Sequence, residues 1–386
     1  MDLISGPRQL RRGGSSSSPS WIHHPLSGRG SWLVARGVIR HQLPSGTYQG
    51  LALALALFPH GVELVPVCLV TIQLPTNDPR GCNRDYWMRG MPMPAAQDAS
   101  GLRACLERDG FVVVRGIVSG AALEELRQAS RTVEELGRSG QWPHVRTVGK
   151  QFPPWAYSPD KGIWGVQHLM DPQLPGHQVF TRQYFSEATL SIVRELLQCT
   201  DEELVMELFN MLVRPDGGDF ELRWHRDDIP AEATAEEEMA RLRRPAFHAQ
   251  YNLALWEDES LVLVPGSHKR PRTDAERHAD PFDRALPGQV AVRLGPGDVA
   301  FYNNNILHRG VYDSAKDRVT LHGSVGHAAG GELRARNVLQ HGVGRFVARV
   351  DLSTLGDEER RRADEMRARL VRLGGQSGAV GYSLQG

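Results

Sequence analysis

The sequence predicts a mainly β protein, a double-stranded β-helix (jelly-roll) core with flanking helices. Two observations carry this. Beyond residue 203 the chain breaks into about eight short apolar segments bounded by Gly, Pro, Asn or Asp, the pattern of an all-β sandwich or barrel. Ahead of them lie stretches with apolar residues at helical spacing, and helices followed by strands suit a two-sheet jelly roll with helices outside it.

The elements follow in order. Order is expected to begin near 'ASGLRACLERDG', where Leu102, Cys105 and Leu106 recur at helical spacing. 'GFVVVRGI' is a short β-branched strand and 'AALEELRQASRTVEEL' an amphipathic helix; the aromatic stretch after it reads as loop as far as a helix at 187–198. Strands are expected at 204–213, 221–225, 248–256, 260–264, 289–294, 298–303, 307–312 and 317–324, with a short helix in 'AEATAEEEMARLRR' and a charged, Pro-containing loop at 269–287. After a last β segment, 'STLGDEERRRADEMRARLVRLGG' reads as a capped, charged surface helix with Gly past its end.

Composition excludes some functions. Among 386 residues, Lys plus Arg and Asp plus Glu number 45 each, so no global field draws the chain to nucleic acid or anionic membrane. Apolar residues at 40% and charged residues at 23% suit a soluble globular chain. Cys68, Cys82, Cys105 and Cys199 show no C-x-x-C spacing, which points to a reducing, intracellular and cytoplasmic setting. The longest apolar run, residues 50–70, is interrupted by Pro59, His60, Glu63 and Pro66 and falls short of a membrane span.

Residues 1–90 differ from the rest. Their start is rich in Arg, Ser and Gly, and Asp2 is the only acid before Glu63. Three readings stand for this extension: disorder, a start placed too far upstream with Met91 or Met93 as the true one, or an organelle transit segment. The division is therefore 1–90 as extension, 91–350 as the jelly-roll domain and 351–386 as C-terminal helix and tail.

The chemistry lies in 'LRWHRDDIP' at 222–230. In a strand, residues two apart share a face, so His225 and Asp227 point the same way. Two imidazoles and one carboxylate on one octahedral face, with three positions open, form the ferrous facial triad. The second histidine is expected to be His308, early in a late strand after the 'GPGD' turn and 'VAFYN'. His322, His327 and His341 are weaker candidates, and His268, at a strand end beside a turn, reads as structural or as a support behind the ligands. Asp228 points to the opposite face. Arg318 lies ten residues past His308 and, if 312–317 turns a hairpin, sits on the neighbouring strand with Thr320 on its face. Arginine captures a carboxylate bidentately, and a co-substrate chelating iron at one end with a free carboxylate at the other has the shape of 2-oxoglutarate.

These motifs resemble the phytanoyl-CoA dioxygenase family of Fe(II)- and 2-oxoglutarate-dependent oxygenases over about residues 100–345. The resemblance rests on 'RDGFVVVRGIVS', 'WHRD', 'NLALWEDESLVLVPGSH', 'PGDVAFYNNNILHRG' and the Arg of 'DRVTLHG', in that order. It implies that His225, Asp227 and His308 hold iron and that Arg318 holds the far carboxylate of 2-oxoglutarate. O2 is then consumed, succinate and CO2 are released, and a small organic substrate is hydroxylated. One departure is Gly310, where the family often has Ser; Thr320 is the substitute hydroxyl. Relatives that halogenate carry a small residue in place of the acid, so Asp227 argues for oxygenation.

Several residues keep two readings at this stage. Gln250 and Asn252 share a strand face and either line the site, bonding 2-oxoglutarate or substrate, or face solvent. 'YNNN' at 302–305 is a polar lining or a turn-former. Trp164, Gln167 and His168 resemble a segment lining the co-substrate pocket in relatives, or are packing residues. Lys150 either meets an anionic substrate or is solvated. Two rival functions remain: a cupin-type metalloprotein that works without 2-oxoglutarate, and a non-catalytic binding protein of the same fold.

Overall fold

The structure is a computed structural model describing residues 101–150 and 161–381, with strand segments 21–25, 31–35, 41–42, 47–58 and 61–73 before them. The chain divides into two units at Gly90. Met91 and Met93 lie outside the described residues. In the first unit β1 (Trp21–Pro25), β2 (Ser31–Ala35), β3 (His41–Gln42), β4 (Thr47–Phe58) and β5 (Gly61–Gln73) form an antiparallel sheet in which β4 pairs with β2, β3 and β5.

The second unit opens with α1 (Gly101–Asp109), β6 (Phe111–Val114), α2 (Gly120–Arg138), β7 (Val145–Thr147), β8 (Ile163–Val166), α3 (His177–Tyr184) and α4 (Glu187–Leu197). It continues through β9 (Leu204–Val213), β10 (Phe220–Glu221), α5 (Ala235–Leu242), β11 (His248–Ala254), β12 (Leu261–Leu263), α6 (Asp274–His278) and β13 (Val290–Ala291). It ends with β14 (Val299–Tyr302), β15 (His308–Tyr312), β16 (Val319–His327), α7 (Gly331–Gln340) and α8 (Asp357–Gly374). The strands form a large sheet ordered β6-β14-β11-β16-β9-β8-β7 and a small one ordered β10-β15-β12-β13. All of their pairings are antiparallel. No helix among the described residues is long and apolar enough to cross a membrane.

Side-chain alternation sorts the layers. On the large sheet Tyr251 and Leu253 of β11, Phe301 of β14, Leu321 of β16 and Phe209 and Met211 of β9 join one core with Leu126 and Val133 of α2. The opposite face meets the small sheet. There Phe111, Val113, Ala300 and Tyr302 pack on Leu261, Leu263 and Ile306, so the β6–β14 end of the interior is apolar. Toward β16 and β9 the same face carries Thr320, His322 and Asn210, with His322 beside both Asn252 and Asn210 in the register. On the outer face of the small sheet Trp224, Val262, Val264 and Leu307 form a separate cluster.

The structure departs from the sequence reading at several places, and the strands expected at 221–225 and 289–294 shrink to Phe220–Glu221 and Val290–Ala291. The stretch read as aromatic loop contributes β7 and β8, which extend the large sheet; 151–160 of it lies outside the described residues. α3 and α7 are helices that the reading did not contain, and α7 stands where a last β segment was expected. The 269–287 loop holds α6, closed by a capping box between Thr273 and Glu276. β15 and β16 are not a hairpin, because β15 pairs with β10 and β12 while β16 pairs with β11 and β9; residues 313–317 carry the chain between sheets. Finally, α8 is not a wholly solvated helix: Ala363, Met366 and Leu370 are buried, and Arg362 and Arg369 reach acceptors on Phe185 and Leu204.

Between β10 and β14 the two excursions that flank the small sheet are joined by charge. Glu238 of α5 is fully buried, accepts the backbone N–H of Arg272 at 2.6 Å, and pairs with the guanidinium groups of Arg272 and Arg277. A carboxylate so enclosed is favourable only while its partners stay in place. Glu238→Gln removes the charge but keeps the volume, and it is expected to cost on the order of 3 kcal/mol of unfolding free energy. Urea denaturation of the two proteins measures it.

Candidate metal centre

β10 and β15 bring the two histidines together. Their ladder runs from Phe220↔Tyr312 through Glu221↔Val311 and ends in an isolated antiparallel bridge, His225↔His308, with N–H···O bonds of 3.0 Å in both directions. Residues 222–225 are not one regular strand. The Trp224 N–H donates instead to the Pro281 carbonyl and its indole N–H to that of Asp283, which turns Trp224 outward and His225 inward. Leu307, just before β15, and Arg309 on it lie on the outer face, Arg309 against the Trp224 ring, so His308 between them points in.

The rings lie 4.3 Å apart between centroids, and each Nδ1 donates to the carbonyl two residues upstream, Arg223 for His225 and Ile306 for His308, both at 2.8 Å. A carbonyl only accepts, so these bonds place the ring proton on Nδ1 and leave Nε2 of the neutral ring as a lone pair. Burial, with the neighbouring His225, pushes His308 down to about 4, so that ring is neutral near pH 7. The Nε2 atoms stand 3.3 and 3.7 Å from Asp227 Oδ1. Asp227 lies beyond the bridge, its N–H bonded to the Asn304 carbonyl at 2.9 Å. Its other oxygen, Oδ2, accepts the Gln250 amide at 2.9 Å. Burial raises the Asp227 carboxyl, but His308, His225 and Gln250 outweigh it and hold the group well below the ordinary carboxylate range. Three acceptors therefore converge within 4.8 Å of one another, an arrangement that a cation satisfies. His225 and His308 are buried while Asp227 opens outward, so the three atoms have an accessible side.

Arg318 occupies the opposite end of the interior. Its Nε donates to Asp258 at 2.6 Å, its Nη2 to Thr320 Oγ1 at 2.8 Å, and its guanidinium lies 4.8 Å from the Tyr312 ring centre. Nη1 is buried with no acceptor among the described residues. An orphaned charged donor in a closed interior is what an incoming carboxylate would complete. Gly310, where a serine was the pattern, has no room for one: a Cβ there would fall 2.3 Å from the Tyr312 hydroxyl.

The remaining candidates sort as follows. Gln250 and Asn252 are buried and face inward; Gln250 holds Asp227, and Asn252 bonds His322 Nδ1 at 2.8 Å. The 302–305 run is mainly a turn that grips the motif: Asn304 bonds the Asp228 carboxylate, and Asn305 Oδ1 accepts the Asp228 N–H. Tyr302 meets His308 edge-on at 5.3 Å. His268 bonds the Glu107 carbonyl and is structural. Trp164 stacks on Tyr312, Gln167 accepts the Trp142 indole through its carbonyl, and Lys150 is exposed. His168 is bonded to the His341 carbonyl, away from the triad.

Two inward residues were given no inward role by the sequence reading, which named His322 only as a weaker ligand candidate. His322 follows Arg318 and Thr320 by the same step of two, so the alternation already contained it. Arg146 had no signal, since its strand was read as loop. Its side chain crosses Gly165, where a Cβ would come within 3.1 Å of Arg146 Cδ, and it lies 5.0 Å from the Trp164 ring centre.

With that geometry described, the comparisons place the chain. Residues 106–319, just over half of it, match the phytanoyl-CoA dioxygenase family, and the chain belongs to that family of non-haem iron, 2-oxoglutarate-dependent dioxygenases. No curated protein matches its sequence significantly. Among solved structures it is similar to AviO1 from Streptomyces viridochromogenes Tue57, with 17% identity, a TM-score of 0.44, and coverage of 60% of this chain and 96% of that one. It is also similar to EctD from S. alaskensis, solved with 2-oxoglutarate and 5-hydroxyectoine, with 19% identity, a TM-score of 0.44 and coverage of 63% and 81%. A third is the non-heme alpha ketoglutarate dependent epimerase SnoN, with 20% identity, a TM-score of 0.40 and coverage of 59% and 82%.

His168 gives a test of the structure around the site. Burial pushes it down to about 4, the His341 carbonyl opposing only in part. The unfolded chain binds this proton near 6.5 and the folded one near 4, so stability is complete above 6.5 and falls as pH drops through that window. Asparagine tolerates the left-handed backbone at this position. His168→Asn is expected to lessen the stability loss between pH 7 and pH 5 by roughly 2 kcal/mol, measured by denaturant titration at both values.

Proposed function

We propose that this chain hydroxylates a small organic substrate, a lipid, acyl-CoA or secondary metabolite, using iron held by His225, Asp227 and His308 and 2-oxoglutarate held by Arg318. The observation that carries the reading is the convergence of the two imidazole Nε2 atoms and the Asp227 carboxylate within 4.8 Å of one another, with each Nδ1 engaged by a backbone carbonyl. When bound there, ferrous iron with 2-oxoglutarate and O2 supplies the oxidising power: the keto acid leaves as succinate and CO2, and one oxygen atom enters a substrate C–H bond.

The protein's own part is placement. The carbonyls of Arg223 and Ile306 keep both imidazoles in the metal-binding tautomer. Gln250 occupies one oxygen of Asp227 and leaves the other facing the histidines. Arg318 presents Nη1, fixed by Asp258 and Thr320 on its other nitrogens, so a carboxylate meets an arginine that is already oriented. Thr320 thus supports Arg318 and supplies the hydroxyl absent at Gly310.

A groove of about 620 Å³ supports entry of the organic substrate from the other end. His248, Gln250 and Tyr302 line its inner side, and Phe247, Met239 and Leu242 its wall. Along β11, Gln250 touches Asp227 while Ala254 pairs with Thr320, so the triad separates groove from Arg318. A second hollow, of about 660 Å³ around Arg194 to Glu202, holds none of these groups.

The test is anaerobic titration of Fe(II)-loaded protein with 2-oxoglutarate, following the visible metal-to-ligand charge-transfer band. Wild type is expected to develop the band and His308→Ala to lack it. Arg318→Lys keeps a cation against Asp258 but loses the guanidinium fork, and should raise the 2-oxoglutarate requirement roughly tenfold or more, the worth of one charged hydrogen bond. A folded, iron-loaded wild type without the band would favour the cupin-type alternative, and one that holds no iron the binding-protein alternative.

A further inference from the structure

We propose that Arg226, the residue between the two motif ligands, is a positioning residue that fixes His225 and Asp227 relative to His308. The proposal rests on the reading that these three residues hold the metal.

The β10–β15 ladder stops at the His225↔His308 bridge, yet Asp227 lies beyond it. Beyond it, backbone pairing is limited to the Asp227 N–H bond to Asn304 and the Arg226↔Ile229 bridge, which closes a turn within the motif and does not reach the run entering His308. Arg226 points away from the site, to the outer side of the small sheet, and is 1% exposed. Its guanidinium donates through Nη1 to the carbonyls of Ser267 (3.0 Å) and Asn305, and through Nη2 to that of Arg270 (3.2 Å). Asn305 lies three residues before His308. Ser267 is tied to the same approach, because its Oγ accepts the Leu307 N–H at 2.8 Å. One side chain thus joins the motif strand to the run entering His308 and to the turn after β12.

All three acceptors are neutral carbonyls, and no carboxylate bonds Arg226 among the described residues. A buried cation without a bonded counter-ion is a costly choice if only packing is needed, and an apolar side chain would fill the volume. What the planar fork adds is several fixed directions from one rigid group, which a lysine ammonium on a flexible stem does not reproduce. Positions set to a fraction of an ångström are what a three-ligand metal site requires of its supports.

The experiment compares Co(II) binding, which needs no oxygen or turnover, in full-length wild type, Arg226→Lys, Arg226→Met and Arg272→Met. The last variant removes a buried arginine of the neighbouring Glu238 network that, among the described residues, bonds none of His225, Arg226 and Asp227; its nearest reach to the motif is a pair of 3.5 Å contacts with the Pro230 and Ala231 carbonyls. Calorimetry gives the Kd, the visible absorption of bound Co(II) reports ligand geometry, and thermal unfolding of the metal-free proteins reports stability. Both Arg226 variants are expected to bind Co(II) at least tenfold more weakly with altered absorption, while Arg272→Met is less stable but binds within twofold of wild type. Wild-type affinity and absorption in a folded Arg226→Lys would overturn the proposal, as would an equal loss of affinity in Arg272→Met. Failure of Arg226→Lys to fold would make Arg226 a folding residue and also overturn it. A wild type that takes up no Co(II) would overturn the metal site itself, and the clamp with it.

Discussion

The antiparallel bridge between His225 and His308 is the constraint on which the rest of the site depends. It is where the small sheet's ladder ends, and its two reciprocal bonds set two imidazoles from distant parts of the chain side by side. Side chains alternate between faces, so a slip of one residue would send one of the rings into the outer cluster of Trp224, Val262 and Leu307 and leave an outer residue facing inward. The surroundings resist such a slip from both sides. Trp224 is pinned by Pro281 and Asp283, and Leu307 is tied to Ser267.

The interior between the sheets is divided in a way that serves this bridge. Its β6–β14 end is filled by Phe111, Val113, Ala300 and Ile306, a close-packed apolar floor beneath the small sheet. Its β16–β9 end is polar, with Thr320, His322, Asn252 and Asn210 on neighbouring strands. The His322–Asn252 bond and the Arg318–Thr320 bond satisfy much of this wall without any ligand. Polar groups held by each other rather than by water keep their directions while a small molecule enters.

How much of this the sequence revealed depends on how distinctive each signal was. The strands 248–254, 299–302 and 319–327 were readable because polar and apolar residues alternate along them or turns bound them. The clustering of His225, Asp227 and His308 was legible from residue types, although 221–225, expected as a strand, is one only at Glu221, with His225 in an isolated bridge. β8 was not readable: its four residues are buried on both faces, so no alternation marks it. The short link between β15 and β16 suggested a hairpin, but in a two-sheet roll a short link can equally pass from one sheet to the other. Arg226 was silent because an arginine beside two acids looks solvated in sequence, whereas here it is buried on the outer side of the small sheet against backbone carbonyls that no composition reveals.

Charge explains why metal and co-substrate belong together in the proposed reading. Arg318 is offset by Asp258 at 2.6 Å, and Arg146, which burial pushes below its ordinary value, is supported by Tyr312, Tyr302 and Asp227. These four groups sum to zero: two cations, Arg146 and Arg318, against two anions, Asp227 and Asp258. A dication entering alone would leave an uncompensated charge of two beside buried side chains, and a dicarboxylate entering alone would leave the opposite. Entering together they restore neutrality, one carboxylate near the lone pairs of His225 and His308 and the other at the orphaned Nη1 of Arg318.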